Sequence, residues 1–203
     1  MSDKPTEKET KRDKAAARRR EKILEAAMMC FIENGYHQTG VRDIARRAGV
    51  SLGNLYNHFS GKHDVLVEIA ALERDELDPF LDLLAEPAPA PKTLDNFVTA
   101  YANYLAKPEN VILTIEVSSE AVRKPDIGEL FVANRKELTA ALALVITRGA
   151  DDGDFRANLD ADEAAQLVID LIDASAYRTV LGEAAMRHVL GGLKDFITAS
   201  LRP

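Results

Sequence analysis

Apolar residues recur along this chain at intervals of three and four positions, the spacing of helices that bury one face. The first helix is predicted at about 14–34, with an apolar face of Ile23, Leu24, Ala27, Met28 and Phe31. A long helix is predicted at 62–84, with inward-facing Leu66, Ile69, Ala70 and Leu77 and a kink at Pro79, because proline lacks the backbone amide that a helix interior needs. Later helices are predicted at about 93–106, 109–123, 126–150, 161–181 and 183–200. The pattern therefore predicts an all-α fold of about nine helices.

Between Thr39 and Lys62 the pattern predicts two short helices joined by a tight turn. The sequence VRDIARRA places four small or apolar residues on one helical face, Val41, Ile44, Ala45 and Ala48. Gly49 is expected to end this helix, because glycine adopts the left-handed conformation at low cost. Ser51 is expected to cap the second helix by accepting a hydrogen bond from an amide of its first turn.

The second helix of this pair has an unusual polar surface. Its apolar positions are Leu55 and Phe59, and the residues around them are Asn54, Tyr56, Asn57, His58 and Lys62. A plain helical hairpin also has a glycine turn, but its exposed face usually carries Glu and Lys, which form helices better than Asn, Tyr or His. Together with the small Ala45 four residues before the turn, this composition favours a helix-turn-helix that contacts DNA.

The run IARRAGVSLGNLYNHFSGKHDVL, preceded by ILEAAMMCFIENGY, resembles the N-terminal domain of the TetR/AcrR family of transcriptional regulators. The resemblance covers about residues 18–75 and rests on A-x-x-A-G-V-S at 45–51, L-Y-x-H-F at 55–59 and Lys62. It implies a three-helix DNA-binding head and a larger helical body for dimerisation and effector binding. It also implies a repressor that binds a palindromic operator as a homodimer and is released by a small molecule. The alternatives are an activator without small-molecule induction and a helical interaction module.

The resemblance assigns roles within the helix-turn-helix, about residues 40–59. Helix 52–58 is expected in the major groove, with Asn54 and Asn57 at base edges and Gly53 allowing a close backbone approach. Phosphates are assigned to Tyr56, His58 and Lys62. The full expected DNA-contacting set is Thr39, Gly40, Arg42, Ser51, Leu52, Gly53, Asn54, Tyr56, Asn57, His58 and Lys62. Asn54 and Gly40 depart from the family, in which a small hydroxyl residue and a threonine or serine are commoner.

Charge is divided unevenly along the chain, which changes the meaning of its net value of −7. Residues 1–62 contain 13 Lys and Arg against 8 Asp and Glu, whereas residues 63–203 contain 13 against 25. A basic head is attracted to phosphates while an acidic remainder is repelled by them. Residues 1–17 are predicted to be a disordered charged arm. The basic residues that follow, Arg18, Arg19, Arg20 and Lys22, either touch the DNA backbone or are simply solvated.

These observations divide the chain into an arm (1–17), a DNA-binding domain (18–64), a connecting helix (65–85), a linker (86–92) and a body (93–203). The linker is EPAPAPK, which cannot continue a helix. The body resembles the C-terminal region of BetI-like members of the same family, in its order of E-x-x-x-E, R-x-P, G-x-F-R and L-I-D. The tryptophans common in that subgroup are absent, so the resemblance does not identify the effector.

The resemblance places an effector site among the body helices. The expected ligand-binding residues are Phe97, Tyr101, Tyr104, Ile112, Glu116, Ser119, Phe131, Arg135, Asp173 and Tyr177. The charged ones, with Glu120 and Asp170, are equally suited to pairing with one another, and Asp173 to a structural hydrogen bond. The dimer interface is expected on the last two helices, at Ala165, Val168, Leu171, Ile172, Leu190, Leu193 and Ile197, unless these residues form internal core.

No motif indicates an enzyme or a metal site. The four histidines are scattered, and neither a nucleophile elbow nor a phosphate-binding glycine loop is present. No run approaches the ~18 apolar residues of a membrane span, and the start lacks the apolar core of a signal peptide. Cys30 is expected to be a buried apolar residue in a reducing compartment rather than a reactive thiol. We therefore expect a cytoplasmic protein without cofactor or metal, whose partners are operator DNA, a second copy of the chain and an unidentified effector.

Overall fold

The computed structural model of the protein describes residues 7–182 and 185–203, and for residues 7–12 it describes the backbone alone. This part of the chain contains ten α-helices: α1 (Glu7–Asn34), α2 (Val41–Ala48), α3 (Leu52–Tyr56), α4 (Lys62–Glu76), α5 (Asp78–Ala85), α6 (Ala90–Leu105), α7 (Pro108–Ala121), α8 (Pro125–Asp151), α9 (Ala161–Val180) and α10 (Met186–Leu201). The all-α prediction is confirmed. The number exceeds the predicted nine because helix 62–84 is divided at Leu77, with Pro79 in the first turn of α5.

Helix α1 corrects the predicted arm. It begins at Glu7, so residues 7–17 are helical instead of disordered. The segment EKETKRDKAAA is rich in Glu, Lys, Arg and Ala, which have high helix propensity, and this preference outweighs its low hydrophobicity. Residues 1–6 of the predicted arm lie outside the described residues, as do residues 183–184 at the start of the predicted last helix.

The predicted proline linker is shorter than its sequence suggests. Pro89 is the N-cap of α6, and Ala90, Pro91 and Lys92 form the first turn of that helix. Proline fits there because the first amides of a helix have no intrahelical acceptor in any case. The linker therefore spans only 86–89, and Ala90 is fully buried.

The chain forms two compact units, which divide between Ala71 and Leu72, within α4. The smaller unit is built from α1, α2, α3 and the first part of α4. Its fully buried large side chains include Ile23, Phe31, Ile44, Leu55 and Leu66. The apolar face predicted for α1 is confirmed, and Cys30 is buried as expected.

In the larger unit, α8 packs against α7 and α9, while α6 packs against α5, α8, α9 and α10. Of the seven residues predicted for a dimer interface, five are buried in the hydrophobic core of this unit: Ala165, Val168, Ile172, Leu193 and Ile197. For these five the alternative of internal core is the correct one, whereas Leu171 and Leu190 are only partly buried and stay predictions. None of the described helices is long and apolar enough to cross a membrane.

Candidate nucleic-acid interface and effector cavity

The turn between α2 and α3 has the predicted geometry. Gly49 has φ 67° and ψ 31°, in the left-handed region. The N–H of Val50 donates to the carbonyl of Ala45 at 3.0 Å, and the N–H of Gly49 donates to that of Arg46 at 3.2 Å. This pair of bonds satisfies carbonyls at the end of α2, as in a Schellman motif. The chain thus leaves α2 and starts α3 within three residues.

Ser51 begins α3 as the predicted N-cap. Its Oγ accepts a hydrogen bond from the N–H of Asn54 at 3.1 Å. The helix ends at Tyr56, two residues before the predicted end at 58. The N–H of His58 donates to the carbonyl of Leu55 at 2.9 Å, a three-residue spacing that tightens the last turn and stops the α-helix.

Most residues predicted to contact DNA are accessible around α3. The exposed ones are Arg42, Ser51, Gly53, Tyr56 and Asn57, and the half-buried ones are Gly40, Leu52, Asn54, His58 and Lys62. The side-chain oxygen of Asn54 is shielded from solvent and has no hydrogen-bond partner in the described part of the chain. Asn57, which is exposed just after α3, is therefore better placed than Asn54 to contact a base edge.

Lys62 has a structural role that the sequence did not predict. Its Nζ donates to the carbonyls of Tyr36, Thr39 and His37, at 2.7, 3.0 and 3.2 Å. The ammonium also lies 4.4 Å from the centroid of the Tyr36 ring, a cation–π contact. Because an ammonium has three N–H donors, these carbonyls occupy all of them. In the structure Lys62 thus holds the loop 36–39 that leads into α2, and its phosphate contact stays a prediction.

Thr39 and Gly40 also serve the local fold. Thr39 is 3% exposed, and its hydroxyl lies 2.8 Å from the carbonyl of Gly35 and 3.1 Å from that of Cys30. Its side chain therefore closes the loop after α1, and a DNA contact of Thr39 stays a prediction. The N–H of Gly40 donates to the carboxylate of Asp43 at 3.0 Å, which satisfies an amide at the start of α2.

Arg20 joins α1 to the segment that follows α3. Its guanidinium pairs with Glu68 at 2.7 Å and donates to the carbonyl of His58 at 3.2 Å. It also lies 4.4 Å from the centroid of the Phe59 ring. The sequence left solvation and DNA contact open for this arginine, and the structure adds a local role, because Arg20 positions the end of the helix-turn-helix.

The other basic residues of the smaller unit fall into paired and unpaired groups. Arg47 forms two hydrogen bonds with Glu33, at 2.5 and 2.7 Å, and this bonding lowers the pKa of the Glu33 carboxyl. Arg46 pairs with Asp43 at 2.5 Å. Five further cations are exposed and form no hydrogen bond or ion pair within residues 13–182 and 185–203: Lys14, Arg18, Arg19, Lys22 and Arg42. These five are the cations most available to phosphates.

In the larger unit, four of the predicted effector residues surround one small cavity. Tyr101, Phe131, Arg135 and Asp173 line it together with Glu73, Leu77, Thr114, Asn134 and Leu138. Its volume is about 30 Å³, enough for a single water molecule. The described residues contain no group of three or more His, Cys, Asp or Glu side chains that could hold a metal ion. The cavity therefore brings carboxylates, an arginine and aromatic rings together at a point that admits a larger ligand only if it opens.

Arg135 is fully engaged by two aspartates beside this cavity. Its guanidinium pairs with Asp173 and with Asp170, each at 2.5 Å. Burial raises the pKa of the Asp173 carboxyl, and the adjacent Arg135 opposes that shift. Among the charged residues predicted for the effector site, these three therefore pair with one another.

Glu73 has no such partner. Its Oε2 is shielded from solvent and makes no hydrogen bond with any described residue. The pKa of the Glu73 carboxyl is raised to about 7 by burial and by the negative charge of Asp173, while Arg135 opposes the shift. A carboxyl buried without a hydrogen bond is costly to ionise, so this group is the least satisfied at the cavity.

The aromatic residues near the cavity form a stacked cluster. The Tyr101 ring stacks with Phe97, at 5.5 Å between centroids, and with Tyr104, at 6.3 Å. Phe80 meets Tyr101 edge-on at 5.2 Å. Burial raises the pKa of Tyr104 to about 12. Phe97 is fully buried and belongs to the core, so it supports the cavity wall instead of lining it.

The remaining residues predicted for the effector site lie outside the lining of this cavity. Ser119 is exposed, and its Oγ accepts a hydrogen bond from Arg123 at 3.2 Å, so its contact with a ligand stays a prediction. Ile112 and Glu116 are half-buried on α7, and Tyr177 packs against the core. These three stay predictions for a ligand that extends beyond the cavity.

Sequence reasoning missed Glu73, although the chain contained a signal. Leu66, Ala70 and Leu77 mark the buried stripe of the predicted helix 62–84, and Glu73 occupies the same stripe at helical spacing. A carboxylate among core positions is either paired or functional. Thr114 and Asn134, the other polar lining residues, have no comparable signal in their surroundings.

Comparison with known proteins supports the assignment of both units. Residues 23–69 match the family described as bacterial regulatory proteins, tetR family. Residues 92–198 match the family described as BetI-type transcriptional repressor, C-terminal. The two matches together span the helix-turn-helix and the cavity-lining parts of α6, α7, α8 and α9, while Glu73 and Leu77 lie between the matched ranges.

Individual relatives agree with these matches. The chain is 31% identical over 153 residues to the HTH-type transcriptional repressor KstR2 of Mycolicibacterium smegmatis, covering 72% of each chain. It is 27% identical over 168 residues to the fatty acid metabolism regulator protein of Bacillus subtilis, covering 79% of this chain and 83% of that one. A transcriptional regulator from Saccharomonospora viridis, solved in complex with choline, superposes with a TM-score of 0.81 at 27% identity, over 91% of this chain and 98% of that one. The chain therefore belongs to the TetR family of bacterial regulatory proteins, with the C-terminal domain of a BetI-type transcriptional repressor.

Proposed function

We propose that two copies of this chain bind a palindromic operator, each through α3, and that a small-molecule effector in the larger unit releases them. The observation that supports this most directly is the surface of α3. Leu55 and Phe59 anchor the short helix by burial, while Tyr56 and Asn57 remain exposed, Tyr56 at 51% of its surface. Exposed amide and hydroxyl groups beside a rigidly held helix are suited to contacts with base edges and phosphates.

The contacts that we propose divide into base contacts and phosphate contacts. Asn57 meets a base edge, because its amide can donate and accept at once. Gly53 is exposed, and nothing lies within 4 Å of where a Cβ would be, so its backbone is open to close approach. Tyr56 and Arg42 hold phosphates, together with the exposed cations of α1. Lys62 acts indirectly, by fixing the loop before α2.

Dimerisation through α9 and α10 is the second part of the proposal. Most of the residues first predicted for the interface are core, but Leu171 is partly buried, Leu167 on α9 is 53% exposed and Phe196 on α10 is 62% exposed. Both line one groove of about 520 Å³ on the larger unit. Large apolar side chains exposed on neighbouring helices favour association with a partner surface. A two-fold dimer would present its two α3 helices to half-sites about 34–36 Å apart.

Release by an effector requires that the larger unit affects the DNA-binding residues. Helix α4 begins at Lys62, which holds the loop before α2, and it contains Glu73, which lines the cavity. We propose that ligand binding shifts this helix. A coupling of about 1 to 3 kcal/mol would change operator affinity roughly 5- to 150-fold. The activity is binding without catalysis, in the cytoplasm, where operator DNA lies.

Fluorescence anisotropy with a labelled duplex from upstream of the protein's own gene tests this proposal. Asn57→Ala should relax specificity at one base pair and cost about 1 to 3 kcal/mol there. Arg42→Ala should weaken binding to all sequences and reduce the slope of log affinity against log salt by about one. Lys62→Ala should weaken binding and leave that slope nearly unchanged, because its ammonium is bonded to backbone carbonyls.

The control is Lys92→Ala, which removes an exposed charge from the first turn of α6. It should leave both affinity and salt slope as they are in the wild type. Failure of the wild type to prefer any duplex over unrelated DNA would refute the proposed function. A salt slope reduced by Lys62→Ala as much as by Arg42→Ala would refute the indirect role of Lys62.

A further inference from the structure

We propose that the N-terminal part of α1, residues 7–22, binds the phosphate backbone of the DNA that flanks each half-site of the operator. This inference rests on the proposed function, since it adds a second DNA-contacting surface to the one around α3. The segment is called the α1 extension below, because the range that matches the family begins only at Ile23. Three features carry the inference: the exposure of the extension, its charge and its position beside α3.

The α1 extension contributes nothing to the core of the smaller unit from Asp13 onward, where side chains are described. Residues 13–22 are all exposed or half-buried, and the first buried residue after them is Ile23. The apolar residues of the extension are three alanines, at 15–17. Its helical conformation follows from the high helix propensity of Ala, Glu, Lys and Arg. A segment that buries none of these side chains acts through its exposed surface.

The positive charge of the DNA-binding unit is concentrated in the α1 extension. Residues 7–22 contain eight Lys and Arg against four Asp and Glu, a net charge of +4, whereas residues 23–69 contain four against five, a net charge of −1. Three of the four cations in the matched range are bonded within the unit: Arg46, Arg47 and Lys62. Because the matched range has no net positive charge, most of the attraction to phosphates must come from the extension.

The exposed cations of the extension form a stripe along one helical face. Lys14, Arg18 and Lys22 are spaced by four residues, which makes each a neighbour of the next on the helix surface. None of the three forms a hydrogen bond or ion pair within residues 13–182 and 185–203. Like charges at this spacing repel one another and weaken a helix. The phosphates of a duplex placed opposite the stripe would remove that repulsion.

Arg20 fixes the position of the extension beside α3. It donates to the carbonyl of His58 at 3.2 Å and lies 4.4 Å from the centroid of the Phe59 ring. His58 is the second residue after α3, so α1 passes next to the proposed DNA-contacting residues at this point. From Arg20 the helix continues for thirteen residues to Glu7, which is about 20 Å. This length equals about six base pairs of duplex, so the extension can reach phosphates beyond the bases that α3 contacts.

Two other polyanions fit the extension less well. Helices that lie on an anionic membrane bury large apolar side chains on the face opposite their cations, and residues 7–22 contain only alanines for this purpose. An acidic protein segment would neutralise the stripe, but it would not explain why the extension is anchored beside α3. Duplex DNA fits both the charge and the position, and an acidic partner is one outcome of the test.

The test uses the full-length protein and two labelled duplexes from upstream of its own gene. One is trimmed to the palindrome that footprinting defines, and the other has about ten base pairs of unrelated sequence added at each end, one helical turn. In fluorescence anisotropy the wild type should bind the longer duplex at least 10-fold more tightly, whatever the added sequence. The triple variant K14A/R18A/K22A should lose this gain. Its slope of log affinity against log salt should fall by about 2 to 3 on the longer duplex, at about 0.9 for each phosphate contact, and stay nearly unchanged on the trimmed one.

The matched control is K14R/R18K/K22R, which keeps the charge and should bind both duplexes as the wild type does. Circular dichroism and thermal unfolding should show both variants folded with unchanged Tm, because the three side chains are exposed. Equal affinity of the wild type for the two duplexes would overturn the proposal. So would an equal loss on both duplexes in K14A/R18A/K22A, or a loss of the same size in the control.

Poly-L-glutamate distinguishes an acidic protein partner from DNA. If the wild type binds it more tightly than it binds unrelated duplex, and K14A/R18A/K22A does not, the extension serves an acidic partner and the proposal is overturned. In each of these cases a preserved preference for the operator leaves the proposed function standing. Absence of any preferred duplex in the wild type refutes that function separately.

Discussion

Replacing Glu73 by glutamine should stabilise the folded protein at pH 8 and change its stability little at pH 5. In the folded protein the pKa of the Glu73 carboxyl is raised to about 7, because the group is buried and lies near Asp173. In the unfolded chain it ionises near its usual value of 4.5. Between these two values the folded state binds more protons than the unfolded state, so the free energy of unfolding falls as pH rises.

The structure sets the size of this effect. A pKa that moves from 4.5 to about 7 corresponds to about 3 kcal/mol in the limit of high pH, at 1.36 kcal/mol for each unit. Between pH 5 and pH 8 the wild type should lose about 2 to 3 kcal/mol relative to Glu73→Gln. The groups that face Glu73 are Asp173 on α9, Arg135 on α8 and Tyr101 on α6, and all three are present in both proteins. Their own titration therefore largely cancels in the difference.

Urea denaturation followed by circular dichroism at pH 5, 6, 7 and 8 measures the two free energies of unfolding. The difference between Glu73→Gln and wild type should grow steadily with pH and level off above pH 7. Asp75→Asn, on the exposed side of α4, should give a difference that does not change with pH. Parallel stability curves for Glu73→Gln and wild type would show that Glu73 ionises normally in the folded protein, and the reasoning from its burial would then be wrong.

Two further predictions concern the larger unit. A Cβ at Gly149 would lie 2.2 Å from the ring of Phe155, so Gly149→Ala should lower the free energy of unfolding by about 1 to 3 kcal/mol. A Cβ at Gly192 would have nothing within 4 Å, so Gly192→Ala should raise the free energy of unfolding by about 0.5 to 1 kcal/mol. Destabilisation by both substitutions would contradict this prediction. Phe196→Asp should convert the dimer into a monomer in light scattering at micromolar concentration, while Leu144→Asp, at an equally exposed site on α8, should not; an unchanged mass for Phe196→Asp would exclude the proposed interface.

The parts of the fold that depend on neighbouring residues could be predicted from the sequence. Gly49 adopts the left-handed conformation and Ser51 caps α3, as expected, because both effects involve atoms within a few residues. The linker predicted at 86–92 was too long because the local effect of its prolines was interpreted wrongly. Pro91 was interpreted as a helix breaker, but the effect of proline depends on its position, and at the start of α6 it is compatible with the helix.

The role of Lys62 could not be predicted in this way. Its three acceptors are carbonyls 23 to 26 residues earlier in the chain. Because every residue has a backbone carbonyl, the sequence does not indicate which carbonyls act as acceptors. Thr39 is similar, because its hydroxyl meets the carbonyls of Cys30 and Gly35. Polar residues in a DNA-binding motif are easily taken for DNA ligands, and only the geometry shows which of them are used to hold the backbone.

Helix α4 contains both Lys62, which holds the loop before α2, and Glu73, which lines the cavity. Lys62 and Glu73 are eleven residues apart in one continuous helix, close to three full turns, so their side chains leave it on nearly the same side. Leu66, Ile69 and Ala70 lie between them and are buried. The buried stripe of α4 therefore has one polar residue before these three, Lys62, and one after them, Glu73. In the release mechanism that we propose, a ligand that shifts α4 at Glu73 also shifts Lys62, whose ammonium holds loop 36–39.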